Sequence, residues 1–210
     1  MNSRERILSK LRAAQTPFQD VPTIAERRHM VNVSARTPDE LKAYFAKAAR
    51  GAGCQVYEPA NHAEALDAVR CVISPEDRIM AWDWEAIGLP GLAEALASVT
   101  LAPLRDDPAR VGLTGVQAAL ASTGSLIVTS GAGQARQASL LPPVHLAIVR
   151  TEQIVADLEG WFALRRAEGL DAFRQWANVV IITGPSRTAD IAMELILGMH
   201  GPREVHVIVI

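Results

Sequence analysis

The chain has 210 residues, room for one full-sized domain with a small appendage, and a domain of that length needs neither disulfides nor a structural metal to be stable. Its 49% hydrophobic and 21% charged content excludes a disordered or collagen-like chain, and 21 basic against 23 acidic residues is too even for a protein built to grip nucleic acid or anionic lipid. No apolar leader follows Met1 and no apolar run approaches the ~18 residues of a spanning helix, so the cytoplasm is the expected address.

Asn2 with Glu5 makes a capping box ahead of Ile7, Leu8 and Leu11, which predicts a short amphipathic helix ended by Thr16-Pro17. Residues 16 to 37 then read as an irregular arm carrying Pro17, Pro22 and the solvated basic run Arg27-Arg28-His29, so the chain divides into a helix and arm (1–37) and an α/β domain (38–210). Thr37-Pro38-Asp39-Glu40 opens a helix with Leu41, Tyr44, Phe45 and Ala48 on one face, stopped by Gly51 and Gly53. A strand at Gln55 to Tyr57, a helix from Asn61 to about Val72, a strand from Arg78 to Trp82 and a short helix from Leu92 to Leu96 follow. Past Val111-Gly112-Leu113 the expectation is a short helix over Val116 to Ala121, then strands at Leu126 to Thr129 and His145 to Val149. One or two helices are expected across 153–176, broken near Gly169, then a doubly covered strand at Val179 to Thr183, a helix and a last strand. This alternation predicts an α/β fold with a mostly parallel sheet.

Cys54 and Cys71 lie 17 positions apart with no spaced partner, so neither belongs to a zinc or iron–sulfur ligand set, and both read as small buried hydrophobes. The five histidines show no metal-ligand spacing; His200, ending a helix, and His206, on the last strand, read as structural. Two loops remain as candidate chemistry. From Asn178 to Ile210 the pattern reads as a compact βαβ unit whose turn, Gly184-Pro185-Ser186-Arg187-Thr188-Ala189-Asp190, lies before a helix. There Gly184, Ser186, Arg187, Thr188 and the free N–H groups of the helix would hold a carboxylate or phosphate. The plainer reading is a tight turn, with Ser186 or Thr188 as N-cap and Asp190 pairing with Arg187. The second candidate joins Thr114-Gly115, Thr123-Gly124-Ser125 and the loop Gly131 to Arg136, where Gly131 and Gly133 admit close backbone approach and Arg136 supplies a charge; the plainer reading is a mobile loop between neighbouring strands. Neither loop matches a P-loop, a nucleophile elbow or a dinucleotide fingerprint, so no cofactor is expected in this chain.

These phrases, with Ser139-Leu140-Leu141-Pro142-Pro143, His145 and Leu197-Gly198-Met199-His200-Gly201-Pro202, resemble the LUD-domain proteins, and within them the LutC/YkgG branch of lactate-utilisation proteins. The resemblance implies a three-layer α/β/α sandwich of the NagB/RpiA/CoA-transferase-like kind. It also implies a cluster-free subunit of a system that oxidises L-lactate to pyruvate with LutA- and LutB-like iron–sulfur partners, this chain binding the small acid. Where that family carries an acidic residue before its T-G-T, this chain has Ser122 before Thr123-Gly124-Ser125. The alternative is an independent enzyme acting on a sugar phosphate or an acyl-CoA.

Overall fold

The structure is a computed structural model and describes residues 2–13, 33, 37–102, 108–169, 171–189 and 195–210. Most of the expected arm lies outside the described residues. In chain order the elements are α1 (Ser3–Ala13), α2 (Pro38–Gly51), β1 (Gln55–Tyr57), α3 (His62–Val72), β2 (Arg78–Ala81), α4 (Trp84–Ile87), α5 (Leu92–Ala95) and β3 (Thr100–Leu101). They continue with β4 (Val111–Thr114), β5 (Ala118–Leu120), β6 (Ser125–Ser130), β7 (Val144–Val149), β8 (Ile154–Val155), α6 (Leu158–Ala167) and α7 (Asp171–Gln175), then β9 (Asn178–Ile182), β10 (Arg187–Ala189), β11 (Leu195–Leu197) and β12 (Glu204–Val209). Short 3-10 turns cover Arg136–Ser139 and Thr151–Gln153.

Helix starts follow the capping chemistry of the sequence. At α1 the Glu5 N–H donates to Asn2 Oδ1 and the Asn2 N–H to Glu5 Oε2, and at α2 Thr37 and Glu40 make the same reciprocal pair. Asn61 Oδ1 accepts from the Glu64 N–H to open α3. Helix α2 buries Phe45, Ala46 and Ala49 and leaves Tyr44 exposed, which turns the apolar stripe slightly from the expected one.

The main sheet has six parallel strands in the order β1-β12-β7-β4-β2-β3. Helices flank it: α3 packs on β12 and α2 on β1. Its strand order reverses between β2 and β4, because the chain runs outward from β2 to β3 and then crosses back to build β4, β7 and β12 on the other side. Gly112, Thr114, His145 and Ala147 alternate onto one face. The turn Arg136–Ser139 lies on that face so closely that a Cβ on Gly112 would fall on the Ala138 carbonyl oxygen. At the amino edge, Arg110 reaches both Asp77 carboxylate oxygens at 2.5 Å and the Val72 carbonyl, clipping the end of α3 and the start of β2 to β4. The guanidinium holds the Asp77 carboxyl below its usual range.

A second sheet, in the order β8-β5-β6-β9, pairs β6 antiparallel to both β5 and β9, and β5 parallel to β8. Strand β6 is buried along its whole length: Leu126 and Val128 join the main core, while Ile127 packs with Trp161, Ala118 and Leu120 under α6.

Four expectations are corrected here. Val116 to Ala121 is not a helix, since Ala118–Leu120 is β5, held between β6 and β8. The apolar run at Val179 to Thr183 is not a doubly covered parallel strand; β9 pairs antiparallel with β6, and Ile181 is 46% exposed. The βαβ unit from Asn178 to Ile210 does not form either: β9 and β12 belong to different sheets, and β10 and β11 pair antiparallel with each other. The helix expected there would have carried Leu195 and Ile196, which lie in β11; 190–194 lie outside the described residues, and His200 follows a strand. Cys71 is exposed, whereas Cys54 is buried as expected. Among the described residues no helix is long and apolar enough to cross a membrane.

Candidate functional site

In parallel sheets ligands bind beyond the carboxyl ends of the strands, where the strand order reverses. At that edge, between the end of β2 and the loop after β6, lies a cleft of about 800 Å³ lined by Trp82, Asp83, Trp84, Glu85, Gly131 and Gly133. The loop is tied down. The Asp83 N–H donates to the Gly133 carbonyl at 2.8 Å, Trp82 Nε1–H to the Ala135 carbonyl at 3.2 Å, and Gly131 and Gln134 exchange backbone bonds. Thr129 Oγ1–H adds a bond to Gln134 Oε1 at 3.0 Å. Gly133 sits at φ +69°, a conformation that strains any other residue, and a Cβ there would have to push the Asp83 carboxylate aside. Asp83 starts α4 without its carboxylate capping the helix, which leaves that group exposed at the cleft. Arg136 is exposed at the start of the following turn.

The other predicted residues fall into two groups. Thr123, Gly124, Ser125, Gly184 and Arg187 gather at the carboxyl end of α2. Hydroxyls of Thr123, Ser125 and Thr183 form a chain with 2.7 Å links, running from buried Ser125 to exposed neighbours on either side. Gly124 and Gly184 both lie against the α2 terminus too closely for a side chain, and Arg187 donates to the Ala52 carbonyl at 2.8 Å. One guanidinium nitrogen is thereby committed to ending α2. Burial pushes the Cys54 thiol up to about 11, against the pull of Arg187 and the Gly184 N–H, so it is not a thiolate at neutral pH. The Ser186 N–H donates to the Pro202 carbonyl and its carbonyl accepts from the Gly198 N–H, and Thr188 lies opposite Ile196, so Ser186 to Ala189 are extended and not a helix start; Asp190 lies outside the described residues.

Thr114 and Gly115 form the third group, inside the protein. Thr114 is fully buried and its hydroxyl meets His145 Nε2 at 2.9 Å, while Gly115 abuts Ala86 and Ile87 of α4. Burial lowers the His145 pKa to about 4, which keeps the imidazole neutral, and its Nδ1 has no hydrogen-bond partner. Sequence reasoning missed Asp83, Trp84 and Glu85. The available signal was Asp83 itself, an acidic residue directly beyond an apolar strand. Among the described residues no three His, Cys, Asp or Glu side chains gather so as to hold a metal ion.

Known proteins share this architecture. A crystal structure of a DUF162 family protein from Deinococcus radiodurans superimposes with a TM-score of 0.57 at 22% identity, covering 83% of this chain and 99% of that one, and so shares the fold. In sequence, the chain is 32% identical over 157 residues to a lactate utilization protein C of Deinococcus radiodurans, covering 72% of this chain and 68% of that protein. It spans about half, 52%, of the lactate utilization protein C of Bacillus licheniformis, at 29% identity. The uncharacterized protein NMB1437 of Neisseria meningitidis serogroup B is 26% identical over all of this chain and 94% of its own length. The LUD domain model matches residues 23–210, nearly the whole chain, and the chain therefore belongs to the LUD domain family.

Proposed function

We propose that this chain is the cluster-free subunit of a cytoplasmic lactate-utilisation system, in which LutA- and LutB-like iron–sulfur partners take the electrons and this chain organises the reaction. The observation that carries the reading is the 32% identity, over 72% of the chain, with a relative named lactate utilization protein C. Oxidation of L-lactate to pyruvate releases two electrons and two protons, and in this reading the electrons leave through the partners. The six-stranded parallel sheet with flanking helices supports a three-layer sandwich of the NagB/RpiA/CoA-transferase-like kind for residues 38–210, with residues 1–37 as an appended helix and arm. The pinned glycine loop is the surface for the partners, because Gly131, Gly133, Gln134 and Ala135 line the cleft on a rigid support and the exposed Arg136 follows directly.

Reconstitution with the two companions tests the reading: lactate-to-acceptor turnover is expected to require this chain and to coincide with co-elution. Equal turnover without it, and no co-elution, overturns it. Arg136→Glu is expected to weaken co-elution with the companions by about tenfold, as a charge reversal at an interface rim does, while leaving the unfolding midpoint unchanged. An unchanged affinity would remove Arg136 from the interface.

A second reading rests on Asp83 and Glu85 sharing one cleft, since paired carboxylates serve proton transfer in an independent enzyme on a sugar phosphate or acyl-CoA. A thermal-shift screen of pentose phosphates and CoA separates the two.

A further inference from the structure

The carboxyl ends of the two central strands, β4 and β7, open onto a separate and smaller cavity of about 250 Å³. Gln117 and Arg150, from the segments that leave these strands, line it together with Trp161 and Arg165, which stand one turn apart on α6. Two donors buried in its wall lack an acceptor. Trp161 is 2% exposed and its indole N–H has no acceptor; the Nε–H of Arg165, whose side chain is 17% exposed, has none either. Arg165 commits its two terminal nitrogens to Glu168, at 2.6 and 2.7 Å. Arg150 donates from Nε to Glu152 Oε1 at 2.7 Å. Gln153, also on the wall, is satisfied by the Val116 carbonyl and the Arg150 N–H.

Native proteins leave few buried donors unpaired, and donors beside two guanidinium groups are satisfied by a ligand that brings acceptor oxygens and negative charge. We propose that this cavity binds the carboxylate of a small organic acid, with Arg150 as the charge partner and the Trp161 indole N–H and Arg165 Nε–H as the buried donors in its wall that the acid reaches by a small shift of that wall. A single negative charge fits better than a dianion, because Glu152 and Glu168 already balance the two arginines at the rim. The cleft beside Asp83 offers an acid the opposite, two exposed carboxylates. Naming the acid as the 2-hydroxy or 2-keto acid of lactate oxidation rests on the function proposed above; the binding of a carboxylate does not.

The test is a titration of the full ¹⁵N-labelled chain, following its tryptophan indole N–H signals, with Trp161→Phe used to assign the one concerned. Sodium pyruvate and sodium acetate are expected to move the Trp161 signal saturably, sodium chloride at matched ionic strength to leave it in place, and inorganic phosphate to bind at least tenfold more weakly than pyruvate. Arg165→Lys keeps the charge but loses the Nε–H, and is expected to weaken pyruvate binding at least tenfold with a dispersed spectrum. Should that variant not fold, Arg150→Gln, at a position 36% exposed, serves the same comparison. No saturable shift in the unaltered chain, phosphate binding as tightly as pyruvate, or undiminished affinity in the folded arginine variants overturns the proposal. Pyruvate binding without reconstituted turnover sinks the lactate reading alone, and turnover without binding sinks this inference alone.

Discussion

Gly112→Ala is expected to destabilise the protein by about 3 kcal/mol or more, the upper end of what overpacking a core costs. The glycine lies on β4, an interior strand, and the atom in the way is the Ala138 carbonyl oxygen, part of the backbone and unable to swing aside as a side chain would. Relief requires the turn Arg136–Ser139 to lift off the sheet. That movement would also drag the neighbouring loop, whose Ala135 carbonyl accepts from Trp82 and whose Gly133 carbonyl accepts from Asp83. Measured against a total stability of roughly 5–15 kcal/mol, such a loss is large enough to reduce soluble yield. The check is a urea unfolding midpoint beside that of Gly51→Ala, at the end of α2, where a Cβ meets nothing and replacement is expected to be neutral or to stabilise by about 0.5–1 kcal/mol. Equal midpoints for the two variants would show that the approach of Ala138 does not enforce the glycine.

Acid is expected to destabilise the protein between about pH 6.5 and pH 4, and His145 to supply much of the effect. The sign follows from burial. The folded state keeps this imidazole neutral down to about 4, whereas in the unfolded chain it takes up a proton near its ordinary 6.5. Through that window the unfolded state binds the extra proton, so stability falls as pH falls; below it both states are protonated and the loss stops growing. The difference amounts to about 3 kcal/mol for full titration. His206 is lowered too, by burial opposed by Glu204, and pushes the same way. Urea midpoints at about pH 7, 5.5 and 4 should therefore slope less in His145→Asn than in the unaltered protein. Parallel slopes would assign the acid sensitivity to other groups.

What the sequence disclosed and what it hid divide along physical lines. Capping chemistry is local, so the starts of α2 and α3 were legible, and the apolar runs of β7 and β12 were legible as strands. The segment Val116 to Ala121 misled because its alanines favour a helix in isolation, while the pairing of Ala118–Leu120 with strands on both sides decides its state. An apolar run likewise does not reveal which sheet it joins: full burial came to β6, and β9 took a half-buried position beside it. The cleft was half legible, through Gly131 and Gly133. Its acidic wall at Asp83 and Glu85 lies some 50 positions earlier in the chain, and the bonds from Asp83 to Gly133 and from Trp82 to Ala135 that join it to the loop exist only in the folded protein.

The pairing of β1 imposes an order on the birth of the protein. This strand contacts one other strand in the main sheet, β12, and its Gln55 waits for His206, roughly 150 positions later. While a ribosome makes the intervening chain, β1 and its neighbour α2 have no sheet to complete, and β7 stands with an open edge on the side where β12 will insert. Insertion of β12 between two waiting strands is thus a late step with a high cost in loop closure, and it makes the half-built sheet sticky toward other nascent copies. Chaperone cover over this interval should therefore raise the yield of folded protein, and slower translation through it should lower the yield.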